Sequence, residues 1–175
     1  MKRLAAFMAA TVLAGCANLA PLAPAGGGDS FSGRLALHVD AQGTTPARAF
    51  SAAFDLRGGT RSGALGLSTP LGSMLAQARW QPGEVVLATP QGTRRFDDLD
   101  ALTREVLGES VPIEAWFDWL HGRPWSGAPS ATSAANGFLQ LGWSVDLAGF
   151  GEGAVSATRT EPLPVVTLRI RLDPP

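Results

Sequence analysis

The sequence predicts a mainly β domain with inserted helices, an incomplete antiparallel β-barrel of about 9–11 strands covered by helices around a hydrophobic cavity. Short segments with apolar residues at every second position recur along the chain, as expected of half-buried strands. Turns containing Gly or Pro separate them at short spacing, which favours antiparallel hairpins. Two segments with a helical repeat interrupt the strands. Because a sheet must hide its edges, we expect it to curl into a barrel with the helices lying across it.

The composition excludes several classes of protein. The chain has 175 residues, of which 21 Gly and 13 Pro make up about a fifth, below the roughly 25–30% typical of low-complexity disorder. The net charge of −1 lacks the basic excess of a nucleic-acid-binding domain. The single Cys excludes an internal disulfide framework. One globular domain without nucleic-acid partners is therefore expected.

The amino terminus has the pattern of a secretory signal peptide, predicted to cover residues 1–15 and to be removed. Lys2 and Arg3 precede an uncharged apolar stretch, Leu4–Gly15. This stretch is too short to span a bilayer, which needs about 20 apolar residues. Removal of the two basic residues makes the remaining chain more acidic, so we do not expect its net charge to attract it to an anionic lipid surface.

A lipid attachment site is predicted at Cys16. The stretch Leu13-Ala14-Gly15-Cys16 is similar to the lipobox of bacterial lipoproteins, in which an acylated cysteine follows small residues. The alternative is an ordinary signal peptide followed by an incidental buried cysteine. Ala17, where Asp would retain a lipoprotein in the inner membrane, resembles an outer-membrane sorting signal. Residues 16–30 then form a lipidated Cys and a Pro/Gly tether, and residues 31–175 form a single domain.

The predicted strands share an alternating apolar face and end at turn residues. Their ranges are 31–39, 50–56, 61–67, 73–80, 84–89, 93–96, 138–147 and 165–173. Between two of them, Gln81-Pro82-Gly83-Glu84 places Gly where a type II turn requires a positive φ. The range 126–136 is rich in Ser, Ala and Pro without an apolar period and is predicted to be a loop.

Two helices are predicted after the strand at 93–96. Asp97 or Asp98 caps the first, which ends at Gly108. Its apolar positions follow the 3.6-residue repeat: Leu99, Leu102, Val106 and Leu107. The second starts at Pro112, ends at His121-Gly122-Arg123-Pro124 and carries Ile113, Trp116, Phe117 and Leu120.

The residues supply no catalytic constellation, and we predict no catalytic residue, metal or cofactor. His38 and His121 are interpreted as a surface and a capping residue, because a catalytic base needs a positioned nucleophile and an orienting partner. The run of Asp97, Asp98 and Asp100 is explained by helix capping and the helix dipole. No glycine-rich phosphate loop precedes a helix. The sequence favours a protein that is not an enzyme.

Two features leave alternatives open. Leu71, between Pro70 and Gly72, sits at the tip of a connection, where a leucine either packs back over the barrel end or projects into lipid. Trp116 and Trp119 on the second helix either line a ligand site or fill the core.

These residues together resemble a known family, the outer-membrane lipoprotein receptor LolB. The resemblance covers most of the chain after Phe31 and is most specific between residues 65 and 124. It rests on Thr69-Pro70-Leu71-Gly72-Ser73, Gln81-Pro82-Gly83, the segment 97–108, Val111-Pro112-Ile113, Trp119-Leu120, Gly122-Arg123-Pro124, Gly142-Trp143 and the basic alternation of the last strand.

The resemblance implies a function. A hydrophobic cavity accepts the acyl chains of lipoproteins delivered by the periplasmic carrier LolA, and the receptor inserts them into the inner leaflet of the outer membrane without nucleotide hydrolysis. Pro70, Leu71 and Gly72 match the family's membrane-insertion loop. The implied partners are LolA, acylated lipoproteins and outer-membrane lipid. We expect a monomer, lipid-anchored to the outer membrane and facing the periplasm.

The acyl-chain cavity is predicted from strand phase and helix face. Its predicted lining residues are Phe50, Phe54, Leu65, Trp116, Trp119 and Trp143. The alternative function is a structural or assembly envelope lipoprotein whose barrel core is filled and whose partner is another envelope protein. A third possibility, an enzyme acting on lipid or glycan, requires a convergent set of polar residues. The size of the cavity distinguishes the first two functions: an open apolar cavity favours the receptor, and a packed interior favours the structural or assembly lipoprotein.

Overall fold

A computed structural model of the chain describes residues 28–133 and 136–174. The predicted signal peptide, Cys16 and most of the predicted tether lie outside these residues. The elements within them are β1 (Asp29–Val39), β2 (Arg48–Gly58), β3 (Gly63–Ser68), β4 (Met74–Gln81), β5 (Glu84–Thr89), β6 (Gly92–Phe96), α1 (Leu99–Leu107), α2 (Ile113–Trp119), β7 (Ser130–Thr132), β8 (Gly137–Gln140), β9 (Trp143–Asp146), β10 (Ala154–Arg159) and β11 (Val166–Leu172).

All strands of the described residues belong to one antiparallel sheet, in the order β6-β5-β4-β3-β2-β1-β11-β10-β9-β8-β7. β1 lies between β2 and β11, so the pairing of β1 with β11 joins the two halves of the chain. β6 and β7 stand at opposite ends of the order and do not pair with each other. The barrel is therefore incomplete, which confirms the predicted fold class.

The two helices lie in the connection between the edge strands and cover the interior. Their buried side chains include Leu99 and Leu102 of α1 and Ile113 and Trp116 of α2, which belong to the same core as the inward residues of the strands. An open sheet leaves apolar side chains at its concave face, and the helices remove these from water.

The capping of α1 resolves an alternative that the sequence leaves open. Asp98 is the N-cap, and its carboxylate accepts a hydrogen bond of 2.7 Å from the Ala101 backbone N–H. Gly108 ends the helix with a φ of 76°, a conformation that glycine adopts at little cost. The predicted bounds of α1 are therefore confirmed.

The sequence does not predict two of the strands. β7 lies in the range interpreted as a loop, and all its side chains are exposed at the sheet edge, so it has no apolar period. β10 places Arg159 on its buried face, which breaks the expected alternation. The range 138–147 forms two strands rather than one, because Leu141 and Gly142 adopt φ values of 54° and 78° and close the β8–β9 hairpin.

Candidate functional site

The loop between β3 and β4 presents Leu71 to solvent. Its side chain is 94% exposed, the most exposed of the large hydrophobic residues that the structure describes. The loop is closed at its base, where Thr69 N–H donates to the Ser73 carbonyl at 2.9 Å and Ser73 N–H donates to Thr69 Oγ1 at 3.1 Å. Gly72, with a φ of 83°, donates to the Thr69 carbonyl. Leu71 therefore projects outward and does not pack back over the barrel.

A small apolar cavity lies between the sheet and the helices. Its volume is about 60 Å³, enough for roughly four water-sized spheres. Thr103 is the one residue with an aliphatic hydroxyl or charged group among the described lining residues, and the others are apolar or aromatic. They come from β1 to β5, β11, both helices and their connection, and include Leu37, Phe50, Leu65, Ala76, Leu87, Leu102, Val106, Leu107, Val111, Trp116 and Leu168.

An open groove of about 380 Å³ adjoins the cavity at the end of α1. Both spaces are lined by Val106 and Leu107 of α1 and by Phe50, Leu67 and Ala76 of the sheet. The exposed fraction of Val106 is 47%, because the groove opens beneath it. The last turn of α1 thus lies where the cavity meets the groove.

The connection between α1 and α2 is attached to β10 by a buried ion pair. Arg159 Nη2 donates to Glu109 Oε2 at 2.5 Å, and Arg159 Nη1 donates to the Ser110 carbonyl at 3.3 Å. The guanidinium also lies 5.7 Å from the centre of a Trp143 ring. A charge on the inner face of β10 is tolerated because a carbonyl and a carboxylate accept hydrogen bonds from its Nη1 and Nη2 atoms.

Thr103 ties the same connection to α1 itself. Its hydroxyl donates to the Asp100 carbonyl at 3.1 Å and accepts a hydrogen bond of 3.2 Å from the Val111 backbone N–H. This side chain is fully buried beside the cavity, and the two hydrogen bonds satisfy its hydroxyl group as both donor and acceptor. Thr103 therefore adds no unpaired hydroxyl group to the apolar wall of the cavity.

An aromatic cluster fills the other end of the interior. The ring centre of Trp119 lies 6.3 Å from those of Phe138 and Trp143. Trp119 Nε1 donates to Gln140 Oε1 at 2.9 Å. Gln140 Oε1 also accepts from the Trp125 N–H, and its amide donates to the carbonyls of Trp125 and Ala128. One buried amide therefore holds the chain after α2 against β8.

Replacing Gln140 by Leu is expected to lower the free energy of unfolding by about 2 kcal/mol. The leucine fills a similar volume but leaves the buried N–H of Trp119 and the backbone groups of Trp125 unsatisfied. Urea unfolding followed by tryptophan fluorescence measures the loss. Gln91→Leu, an exposed glutamine in the β5–β6 turn, is the matched control and should change stability little.

Carboxylates gather where the two helices begin, and one of them has a perturbed pKa. Burial raises the pKa of Glu114, and the charges of Asp98 and Asp100 raise it further against the lowering effect of a backbone hydrogen bond. A carboxyl whose folded pKa exceeds its unfolded value destabilises the fold as the pH rises through the folded pKa.

Glu114→Gln is therefore expected to be more stable than the wild type at pH 7, and the two should converge below about pH 4, where the unfolded carboxyl is also protonated. Unfolding midpoints measured across this pH range test the prediction. A constant difference between the two proteins at all pH values would show that packing, rather than ionisation, separates them.

The predicted cavity residues divide into two groups. Phe50, Leu65 and Trp116 line the cavity. Phe54, Trp119 and Trp143 are buried in the core but do not line this cavity. The sequence interpretation leaves out the α1 residues of the cavity, Leu102, Val106 and Leu107, although their helical repeat already marks them as one apolar face.

The two histidines occupy the surface. His38 Nε2 lies 3.1 Å from Asp40 Oδ1, and His121 Nε2 lies 3.1 Å from Asp29 Oδ2. The His121 ring also stacks edge-on against Phe31 at 5.0 Å. Among the described residues, no group of three or more His, Cys, Asp or Glu side chains is arranged to hold a metal ion. None of the helices in these residues is long and apolar enough to cross a membrane.

A family model described as outer membrane lipoprotein LolB matches residues 30–172, which include both helices and all the described strands apart from Asp29, the first residue of β1. The chain belongs to the LolB family. This membership confirms the resemblance carried by the segments around Leu71, Pro82 and Pro112. Proteins of the LolB family receive lipoproteins from LolA and insert them into the outer membrane.

Curated LolB proteins are similar to this chain over most of their length. The outer-membrane lipoprotein LolB of Bordetella petrii is 35% identical, over 94% of this chain and 88% of the relative. The LolB protein of Chromobacterium violaceum is 31% identical, over 83% of this chain and 81% of the relative. That of Bordetella pertussis is 32% identical, over 97% and 90%. The chain is thus an outer-membrane lipoprotein of the LolB family and a lipoprotein localisation factor.

Proposed function

We propose that this LolB-family protein accepts the acyl chains of a lipoprotein from LolA in the space between the sheet and α1, and delivers them to the membrane through Leu71. The observation that carries the proposal is the combination of an apolar cavity with the projecting side chain of Leu71, the most exposed of the large hydrophobic residues that the structure describes. Phe50, Leu65 and Trp116 would contact acyl chains together with the α1 residues. Pro70 and Gly72 would hold Leu71 in its projecting position.

The size of the cavity bears on how the chains enter. About 60 Å³ cannot hold an acyl chain of a dozen or more carbons. The adjoining groove of about 380 Å³ is large enough to receive part of one, and the last turn of α1 lines both spaces. Acceptance would therefore require this turn to move, and the apolar walls would then contact the chain along its length.

A small apolar cavity suits an intermediate acceptor. An acylated lipoprotein moves downhill in free energy only if the receptor binds it better than the carrier does and less well than the bilayer. Widening a small apolar cavity would cost part of the binding energy, which would weaken the receptor relative to the bilayer. Such a relay needs no catalysis, so we propose a monomeric protein that is not an enzyme and uses no cofactor.

The membrane attachment belongs to the same proposal. Residues 1–15 would be removed as a signal peptide, Cys16 would carry the acyl chains that anchor the protein, and residues 16–30 would tether the domain of residues 31–175. Several acyl chains on one residue give a stable anchor, since each buried CH₂ contributes about 0.8 kcal/mol. Cys16→Ala should move the protein from the outer-membrane fraction to the soluble periplasmic fraction.

One observation favours a second function. The small volume of the cavity is also expected of an envelope lipoprotein whose core is filled and which binds another envelope protein. The test mixes the chain from residue 16 onward, carrying Cys16→Ala, with LolA loaded with an acylated lipoprotein and without ATP. Movement of the lipoprotein to this protein, measured by affinity pull-down, supports the receptor. Retention on LolA would contradict it and leave the filled-core protein as the better account.

A further inference from the structure

A second groove lies on the outer face of the barrel, away from the cavity. It has a volume of about 480 Å³ and crosses β2, β1, β11, β10 and the end of β9. Three arginines line it: Arg34 on β1 and Arg169 and Arg171 on β11. All three are exposed, and among the residues that the structure describes none of them forms an ion pair or a hydrogen bond through its side chain.

The arginines are placed close together at an energetic cost. Arg34 is the direct cross-strand partner of Arg171, and Arg169 pairs with Ala36, two residues further along β1. Like charges at directly opposite positions of an antiparallel pair destabilise the sheet. Asp146 is the carboxylate at the rim of the groove, and its Oδ1 accepts a hydrogen bond of 2.8 Å from the Ala148 N–H. The positive charge of the groove therefore exceeds its negative charge.

The floor of the groove leaves room for a ligand. The residues beside the arginines in the register of the sheet have small side chains, Ala36, Ser51, Ala154 and Ser156. Two of these are serines, whose hydroxyl groups can donate to an oxygen. Guanidinium groups bind phosphate oxygens in a bidentate manner, so three of them around a floor of small residues suit a phosphate group.

The groove is connected to the Leu71 loop by the register of the sheet. Ser68, the last residue of β3 before the loop, pairs with Ala53, which pairs with Arg34 and so with Arg171. Neighbouring strands lie about 4.8 Å apart, so roughly 10 Å of sheet separates the base of the loop from Arg34 and roughly 14 Å separates it from Arg171. A membrane surface that takes up Leu71 therefore lies within reach of the groove.

We propose that the groove formed by Arg34, Arg169 and Arg171 binds the phosphate groups of anionic phospholipids and so orients the domain on the membrane. The inference rests on the proposed function in that it assigns a role at the delivery step. It also revises the expectation drawn from net charge. The chain is acidic overall, but its positive charge is segregated on one face, and each arginine near an anionic surface strengthens binding about fivefold.

The test measures binding to vesicles with the chain from residue 16 onward carrying Cys16→Ala, so that an acyl anchor does not dominate. Vesicles of phosphatidylcholine alone are compared with vesicles of three parts phosphatidylcholine to one part phosphatidylglycerol. The variant Arg34→Gln, Arg169→Gln, Arg171→Gln should lose about 100-fold in partitioning to the anionic vesicles and nothing on the neutral ones. High salt should abolish the difference.

A charge-matched control removes three exposed arginines elsewhere, Arg61→Gln, Arg94→Gln and Arg95→Gln. Equal losses in the two triple variants would overturn the proposal, since net charge alone would then explain binding. Normal vesicle binding by the groove variant together with failed uptake from LolA would also overturn it, in favour of a protein partner. Acceptance of lipoprotein from LolA by the wild type is scored separately, so failure of the proposed function is distinguishable from failure of the groove.

Discussion

Leu71→Glu is expected to accept a lipoprotein from LolA normally and to deliver it to liposomes at least about 100-fold more slowly. Burying a leucine contributes about 1.5–3 kcal/mol, and a carboxylate at the same depth opposes insertion. The lost burial energy and the unfavourable insertion of the carboxylate together exceed the roughly 2.7 kcal/mol that corresponds to a 100-fold change in the delivery rate. Because the side chain is 94% exposed, folding should be unaffected, and urea unfolding checks this.

Leu163 provides a matched control for this experiment. It is a second exposed leucine, 62% accessible, in the connection between β10 and β11. Leu163→Glu adds the same charge to another loop and should deliver at the wild-type rate. If both variants deliver equally slowly, overall charge repulsion from the membrane, and not insertion of Leu71, accounts for the loss. Leu71→Met, which keeps an apolar side chain, should retain most of the delivery.

Local signals are sufficient to predict most of the fold. Gly108 ends α1 as predicted, Asp98 is one of its two predicted N-caps, and the Pro82-Gly83 turn fixes the β4–β5 hairpin, where Gln81 pairs with Glu84. These features depend on neighbours in sequence. β7 and β10 escape prediction although they pair with the next strands along the chain, β8 and β11, because neither has an apolar alternation of its own: β7 is exposed throughout, and β10 has Arg159 on its buried face.

Local sequence signals do not predict which buried residues line the cavity and which pack in the core. Trp116 and Trp119 lie three residues apart on α2 and share one buried face. Trp116 faces the sheet across the cavity, whereas Trp119 meets Phe138 and Trp143 and donates to Gln140. What lies opposite each tryptophan is decided by the β8–β9 hairpin, which folds back from about 20 residues further along the chain. A helical repeat predicts burial but not the partner.

The arginine groove shows the same limitation at the surface. Arg169 and Arg171 alternate with apolar residues along β11, as the sequence predicts for a half-buried strand. That Arg34 stands directly opposite Arg171 follows only from the pairing of β1 with β11, whose members are more than 100 residues apart. A net charge of −1 therefore conceals a local excess of positive charge.

Ala76→Phe is expected to reduce acceptance of lipoprotein from LolA at least about 100-fold. Ala76 on β4 lines both the cavity and the groove beside it, so a phenyl ring there occupies the junction through which a chain would enter. Filling that space removes the apolar contacts of an incoming chain, each CH₂ of which contributes about 0.8 kcal/mol. Three or four lost methylenes account for 100-fold.

The stability of the Ala76→Phe protein shows whether a loss of acceptance comes from a blocked cavity or from a damaged fold. Overpacking costs roughly 1–3 kcal/mol, and the half-buried Ala76 should fall at the low end because the groove beside it is open. Ala131→Phe, the same change at an exposed position of β7, should accept lipoprotein normally. Acceptance by a stably folded Ala76→Phe protein at the wild-type level would remove this cavity from the transfer path. Because Leu71 lies outside the cavity, its insertion step would still stand, so the two variants test acceptance and delivery independently.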